Sequence, residues 1–181
     1  MRKRECAERN AQAMRFLAET RPRVILLAAH WSVYGGGLHP AAEAPDGDRR
    51  AVEAGVRALR ALGSQVHVVL DVPDAPFAEP RRLAKAQLLG VMRRIEPRRA
   101  DYLRRDRAFR AIAADLEQRG LIRVIDPAQK LCGPLTCRIT DQGYPLYFDG
   151  NHLSGHGAAL VAPLFDPALR PIPASPRTSR D

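Results

Sequence analysis

An aspartate and a histidine stand three residues apart in the run from Tyr147 to Ser154. Asp149 and His152 have the chemistry of the acid and the base of a serine-hydrolase triad. In such a triad the histidine takes the proton of a serine hydroxyl, while the carboxylate fixes the imidazole tautomer and stabilises the imidazolium. The pair therefore predicts nucleophilic acyl chemistry, and the serine must come from elsewhere.

Other interpretations of these residues stay open. Aspartate before glycine is common in turns, so Asp149 can be a turn residue and His152 a surface histidine near a helix start. His156 follows His152 by four residues, and two histidines on one helix face could bind zinc together with Asp149. No glutamate follows His152 as a zinc metalloprotease requires, so acyl chemistry without a metal or a cofactor is favoured.

Further blocks precede this run in order. They are Val24 to Trp31, Val68 to Pro73, and Ile125 to Pro127 followed by Cys132 and Cys137. Together with the Asp149–His152 run, they resemble the SGNH domain that is fused to membrane-embedded acyltransferase-3 proteins, over residues 5 to 166. The resemblance implies an O-acyltransferase or esterase domain that acts on acyl esters of cell-envelope glycans.

The resemblance also implies roles and partners. Asp149 and His152 would be the catalytic acid and base. Trp31 and His30 would contact substrate, although the family often has arginine in place of His30 and Trp31 can equally be a packing residue. The implied partners are a glycan acceptor and an acyl donor passed from a membrane acyltransferase module. The implied location is periplasmic, or the outer face of the cell membrane, with attachment through helices upstream of residue 1.

The nucleophile of the family is missing from this sequence. Family members begin the domain with a strand that ends in Gly-Asp-Ser, and this tripeptide occurs nowhere in the 181 residues. No serine here follows a strand in a glycine-bounded turn; the serines are Ser32, Ser64, Ser154, Ser175 and Ser179. We therefore expect the serine to lie upstream of this sequence or on a strand that a partner chain supplies. A misplaced start codon, or a split or decayed gene, would explain an upstream position. The alternative is a truncated, non-catalytic glycan-binding or interaction remnant.

Two cysteines flank a short turn. Cys132 and Cys137 bracket Gly133-Pro134, and a turn of this composition can bring the two α-carbons within disulfide distance. Two small buried thiols are the alternative, and Cys6 is left unpaired. In the resembled family, a cysteine at the place of Cys6 would have an upstream partner.

The formal charge of +9 is compatible with nucleic-acid binding. Three of the 29 basic residues are lysine and 26 are arginine, however, a bias that GC-rich coding produces, and the arginines are spread along helices. We expect no nucleic-acid partner. Charged residues soon after Met1 interrupt the apolar run that a signal peptide needs. No window of the sequence approaches the ~20 apolar residues of a membrane helix. The chain therefore has no recognisable export signal.

Helices and strands alternate along the chain. The periodicity predicts helices over 5–19, 48–62, 81–94 and 101–119, a last helix from Ser154, strands over 24–29, 66–72 and 121–125, and a hairpin of 137–139 with 145–147. This alternation predicts a three-layer α/β/α fold with a mainly parallel sheet, of the SGNH-hydrolase, flavodoxin-like class, whose first strand is missing. Residues 1–168 would form the domain and 169–181 a disordered tail.

Parallel sheets of this class place their active site at the carboxyl ends of the strands. His30 and Trp31 follow the first strand, and Asp71 to Pro73 follow the second. The fold therefore predicts that these residues lie beside Asp149 and His152. No Gly-x-Asn block of the kind that supplies oxyanion donors in the wider superfamily is visible, so the backbone of Gly35 to Gly37 is the candidate source of these donors.

Overall fold

The computed structural model describes residues 2–34, 46–75, 80–91 and 95–170. The helices are α1 (Arg2–Thr20), α2 (Trp31–Tyr34), α3 (Asp46–Ala61), α4 (Pro80–Leu88), α5 (Arg99–Gln118), α6 (Ala128–Leu131), α7 (Gly155–Val161), a 3-10 helix (Ala162–Phe165) and α8 (Asp166–Leu169). The strands are β1 (Val24–Ala28), β2 (Gln65–Val69), β3 (Arg123–Ile125), β4 (Thr140–Asp141) and β5 (Tyr144–Pro145). Gly35 to Gly37 and most of the predicted tail, 171–181, lie outside the described residues. Within these ranges, no helix has both the length and the hydropathy that crossing a membrane requires.

The central sheet is parallel, with strand order β1-β2-β3. Ile25 pairs with Val66, and Val68 pairs with both Leu27 and Val124. Parallel neighbours require long crossover connections, and helices supply them here. The mixed α/β class with a parallel sheet is confirmed.

One face of the sheet carries the main hydrophobic core. Ile25, Val66 and Val68 are buried there against Val56 of α3 and Ile112 of α5. Val, Ile and Leu side chains on successive parallel strands pack well beneath amphipathic helices, and their burial removes apolar surface from water. This packing holds α3 and α5 against the sheet.

The outer edge of β3 is closed by a side chain. The amide of Val124 donates a hydrogen bond of 2.7 Å to Oε1 of Glu117, which lies near the end of α5. A backbone N–H at a strand edge would otherwise be free to pair with another strand. Within the described residues, β1 forms the opposite edge of the sheet.

Glycines end several elements, and they explain where the predicted boundaries were wrong. Gly90 has φ +65°, and the amides of Gly90 and Val91 bond back to Gln87 and Ala86, so α4 ends in a Schellman motif well before residue 94. Gly120 ends α5 in the same way, and β3 therefore begins at Arg123 rather than at residue 121. Gly63, with φ +89°, stops α3 close to its predicted end at residue 62.

The hairpin is shorter than predicted. Thr140 pairs with Pro145 and Asp141 with Tyr144 around a two-residue turn. Gln142 and Gly143 both have positive φ, at 50° and 84°, which is the backbone of a type I′ hairpin turn. Of the predicted partners, Ile139 and Leu146 are joined, because the amide of Leu146 donates to the carbonyl of Ile139 at 2.9 Å. The others pair elsewhere: Cys137 pairs with Cys132, and Tyr147 pairs with Leu153.

Helix α7 packs against the segment that follows the hairpin. A Cβ on Gly157 would lie 2.1 Å from the carbonyl oxygen of Leu146. Only glycine therefore allows this approach of helix to backbone. Leu146, Ile139 and Val161 form part of a second hydrophobic cluster around this contact.

Candidate active site

The loop that carries Asp149 and His152 is closed at its base by backbone pairing. Tyr147 pairs with Leu153 in an antiparallel bridge, and the amide of Phe148 donates to the carbonyl of His152 at 2.8 Å. The amide of Ser154 donates to the carbonyl of Leu146 at 3.0 Å. These bonds form a narrow loop whose two sides are held together, with Tyr147 buried beneath it.

Asp149 and His152 are in direct contact within this loop. Nδ1 of His152 lies 2.8 Å from Oδ2 and 3.0 Å from Oδ1 of Asp149. The amides of Asn151 and His152 donate to Oδ1 at 2.9 and 2.8 Å. These hydrogen bonds lower the pKa of Asp149 to about 2; the Asn151 amide has the largest effect, and the His152 ring and the His152 amide come next.

The ionisation of Asp149 determines the tautomer of His152. A carboxylate can only accept hydrogen bonds, so Nδ1 of His152 must be the donor in this contact. In the neutral ring Nε2 then carries the free lone pair, which is the form that a general base needs. Among the described residues no hydrogen bond reaches Nε2, and the His152 side chain is 74% exposed. The loop thus presents at the surface an imidazole whose Nδ1 is held by Asp149 and whose Nε2 is free among the described residues.

A cleft of about 520 Å³ opens beside His152. Its wall contains the last residue of β1 and the two that follow, at 28–30, the last residue of β2 and the three that follow, at 69–72, and Pro127 after β3. Asn151 to Leu153 close the cleft on the side of the loop that carries Asp149 and His152, here named the acid–base loop after these two side chains. The cleft therefore lies at the carboxyl ends of all three parallel strands, where this class of sheet binds its ligands.

His30 and Trp31 have different environments at this edge. His30 is exposed and lines the cleft together with His152. Trp31 is half-buried, its Nε1 donates to the carbonyl of Val69 at 2.7 Å, and its ring stacks on Phe109 at 4.2 Å between centroids. These contacts make Trp31 a packing residue of the cleft edge, while a direct substrate contact by Trp31 or His30 stays a prediction.

Asp71 has a role that the sequence did not reveal. Its Oδ1 accepts the amide of Trp31 at 2.9 Å and its Oδ2 accepts the amide of Ser32 at 3.0 Å. The carboxylate thus binds the first two amides of α2 and fixes the turn that contains His30. β2 ends at Val69 rather than at residue 72 as predicted, although the amide of Leu70 still donates to the carbonyl of Ile125 of β3 at 2.9 Å. Forty residues separate the partners, and no local motif signals such a contact.

The described serines are Ser32, Ser64 and Ser154. Ser64 lies at the amino end of β2, and its hydroxyl donates to the carbonyl of Pro22. Ser154 caps α7: its Oγ accepts the amide of Gly157 at 3.1 Å and donates to the carbonyl of Pro145 at 2.7 Å. Ser32 is buried on α2. None of these three hydroxyls is hydrogen-bonded to His152, and Ser175 and Ser179 lie outside the described residues.

His156 does not join Asp149 and His152. Its Nε2 lies 3.3 Å from Oδ2 of Asp141, and its ring packs at a tilt against Tyr144. It thereby links α7 to the hairpin. The described part of the chain contains no group of three or more potential metal ligands.

Cys132 and Cys137 form a disulfide, with their α-carbons 3.9 Å apart. The loop between them rests on the residues before α5. The amide of Cys137 donates to the carbonyl of Pro97, and the amide of Arg99 donates to the carbonyl of Leu135, each at 2.9 Å. The disulfide therefore anchors the start of α5. The side chain of Cys6 lies outside the described part of the structure.

Known proteins share this fold. Among solved structures, the chain is similar to the periplasmic domain of a lipopolysaccharide acetyltransferase from Salmonella ser. Paratyphi A, with a TM-score of 0.59 and 15% sequence identity. The match covers 87% of this chain but 60% of that chain, so this chain spans less than two thirds of its structural neighbour. At this identity the similarity concerns the fold alone. No curated protein sequence matches the chain.

The family model described as "SGNH domain (fused to AT3 domains)" matches residues 1–167. The match covers the parallel sheet, the cleft and the acid–base loop, and it confirms the resemblance carried by the ordered blocks of the sequence. The chain belongs to the family of SGNH domains that are fused to AT3 domains.

Proposed function

We propose that this domain transfers or hydrolyses acyl esters on cell-envelope glycans, with Asp149 as the acid and His152 as the base. The observation that carries the proposal is the contact of 2.8 Å between Asp149 and Nδ1 of His152, which leaves Nε2 free at the cleft. Nε2 would take the proton of the serine hydroxyl and give it to the group that leaves the donor ester. It would then take the proton of the incoming hydroxyl and return it to the serine as the acyl group is transferred, while Asp149 stabilises the imidazolium at each stage.

The serine would come from a strand outside the described residues, added to the free edge of β1. All five residues of β1 are apolar, a pattern typical of a strand inside a parallel sheet, yet β1 lies at an edge and Leu26 is 39% exposed. A further parallel strand at this edge would bring its carboxyl end beside His30 and the cleft. A serine at that end would lie within the region that His152 faces.

Family membership and fold support the expected partners. A family defined by fusion to AT3 domains fits an acyl donor delivered by a membrane acyltransferase module, and a glycan acceptor. The structural neighbour is a periplasmic domain, which fits an extracytoplasmic location for this one. The exposed His30 on the cleft wall is the side chain that would contact the acceptor or the acyl group.

A second candidate is a non-catalytic module that retains the cleft and binds glycan without turnover. It is favoured by one observation: within the described ranges, no serine hydroxyl is hydrogen-bonded to His152. The two candidates differ in whether His152 supports turnover once a serine is present.

The test starts with the DNA upstream of the codon for Met1. The 181-residue chain and the longest in-frame protein that contains it are purified, and both are assayed with 4-nitrophenyl acetate. We expect serine-dependent hydrolysis only in the longer protein, and a loss of roughly a thousandfold or more with His152→Ala. His156→Ala is the matched control, because His156 contacts Asp141 rather than Asp149, and it should retain activity.

Two results would contradict the proposal. One is a longer protein whose activity does not depend on His152. The other is activity in the 181-residue chain that disappears with Ser154→Ala, which would make Ser154 the nucleophile rather than a helix cap. A longer reading frame without a serine block would favour the binding module.

A further inference from the structure

Arg105 on α5 is surrounded by three carboxylates. Its Nε donates to Oδ1 of Asp106 at 2.6 Å, its Nη1 forms an ion pair with Asp74, and its Nη2 lies 4.0 Å from Oδ2 of Asp71. Nη2 also donates to the carbonyl of Val72 at 3.0 Å. One guanidinium therefore binds the loop after β2, here named the 71–75 loop, at three successive points.

The arrangement is mostly buried, and it is charged. Burial opposes the charge on Arg105, but its hydrogen bonds with Asp106 and Asp74 outweigh this effect and keep its pKa above the ordinary value. Burial raises the pKa of Asp106, and Arg105 acts against that rise. A planar guanidinium with five donors can satisfy several acceptors at fixed angles, which an ammonium cannot do. The contacts thus require arginine rather than any positive charge.

The 71–75 loop is in turn bonded to the acid–base loop. The amide of Ala75 donates to the carbonyl of Gly150 at 2.7 Å, and Gly150 lies between Asp149 and Asn151. Arg105 is therefore connected to Asp149 through the 71–75 loop and the bond between Ala75 and Gly150.

We propose that Arg105 is a positioning residue, which holds the 71–75 loop against α5 and through it fixes the loop that carries Asp149 and His152. The proposal rests on the proposed acid and base roles of those two residues, since positioning has a purpose only if they react. Its structural content can be tested without any enzymatic assay. The described contacts of Arg105 include neither Asp149 nor His152, so any effect on that pair passes through the 71–75 loop.

The test is amide hydrogen exchange, measured by NMR on the full 181-residue chain. Arg105→Lys keeps the charge but loses the guanidinium geometry, and Asp74→Asn removes one ion pair whose carboxylate is partly exposed. Asp101→Asn is the matched control, because it removes an exposed ion pair with Arg104 on the same helix. The reporters are the amides of Ala75, Asn151 and His152, with the β2 amides as the reference.

We expect the reporter amides to exchange roughly tenfold faster in Arg105→Lys and Asp74→Asn, with the β2 amides and the Asp101→Asn control unchanged. Unchanged reporter amides would overturn the proposal. So would an acceleration equal to that of the β2 amides, because Arg105 would then serve global stability only. If Arg105→Lys does not fold, Asp74→Asn decides the matter alone. A chain without acyl-transfer activity would give the same exchange result, so the two proposals can fail separately.

Discussion

The amide of Asn151 donates a hydrogen bond of 2.9 Å to Oδ1 of Asp149, and it lowers the pKa of that carboxyl more than the ring of His152 does. The acid of the proposed pair is therefore kept ionised mainly by the backbone of its own loop. The His152 ring receives an orientation from Asp149 but is not the main cause of its ionisation.

This arrangement predicts how Asp149 titrates. Its carboxyl ¹³C resonance should show a midpoint near pH 2, well below the ordinary value of 3.8. Because the folded-state pKa is the lower one, the stabilisation is complete above the unfolded-state pKa and is lost as the pH falls from 3.8 through about 2. His152→Ala should raise the midpoint yet leave it below 3.8, since the Asn151 amide remains. A midpoint at 3.8 in the unaltered chain would contradict the loop geometry.

Gly157→Ala should destabilise the protein. The new Cβ would meet the Leu146 carbonyl oxygen at 2.1 Å, so the helix or the segment beneath it must move. We expect a loss of about 1–3 kcal/mol in the free energy of unfolding, measured by urea denaturation. Gly155→Ala is the control, because a Cβ there has no neighbour within 4 Å. Equal stability of the two variants would show that α7 does not pack this closely.

Asp71→Asn should loosen the turn at the cleft edge. The amide side chain offers one acceptor oxygen and no charge to the two amides of Trp31 and Ser32, so one of them loses its partner. We expect a cost of about 1.5–3 kcal/mol, the range for hydrogen bonds to charged groups. Trp31 is the single tryptophan of the sequence, so its fluorescence in a urea titration measures the change at the turn itself. A midpoint equal to that of Asp101→Asn would contradict the assigned role.

Loss of the disulfide should cost about 2 kcal/mol, because a short loop restricts the unfolded chain only modestly. The Cys132→Ser/Cys137→Ser variant should unfold at a lower urea concentration than the oxidised protein. Reductant should lower the midpoint of the unaltered protein and leave that of the variant unchanged. If reductant has no effect on the unaltered protein, the bridge does not contribute to stability.

Local sequence signals predicted much of this fold. The apolar runs predicted the parallel strands. Local spacing also predicted that the last helix begins near Ser154 and that α3 ends near residue 62, because each of these features depends on neighbouring residues. The Asp149–His152 pair was likewise visible, since both residues belong to one short loop. Helix ends were harder to predict from periodicity. The apolar pattern of α4 continues to residue 94, but the positive φ of Gly90 ends the helix earlier.

Contacts between distant residues could not be read from the sequence. Asp71 binds amides 40 and 39 residues earlier in the chain, and Arg105 reaches Val72 across 33 residues. The sequence placed Asp71 at the carboxyl end of a strand but gave no sign of its partners, and Arg105 stands in no pattern that distinguishes it from the other charges of an arginine-rich chain. Their roles depend on which strand neighbours which helix, and the sheet order is known only once the chain has folded.

The bond between Glu117 and the Val124 amide distinguishes the two edges of the described sheet. At β3 the outward amide of Val124 is already bonded to a side chain, so a strand that paired there would first have to displace Glu117. At β1, which forms the other edge of the described sheet, no such displacement is needed. The sheet therefore favours β1 as the edge to which a further strand adds, as the proposed position of the serine requires.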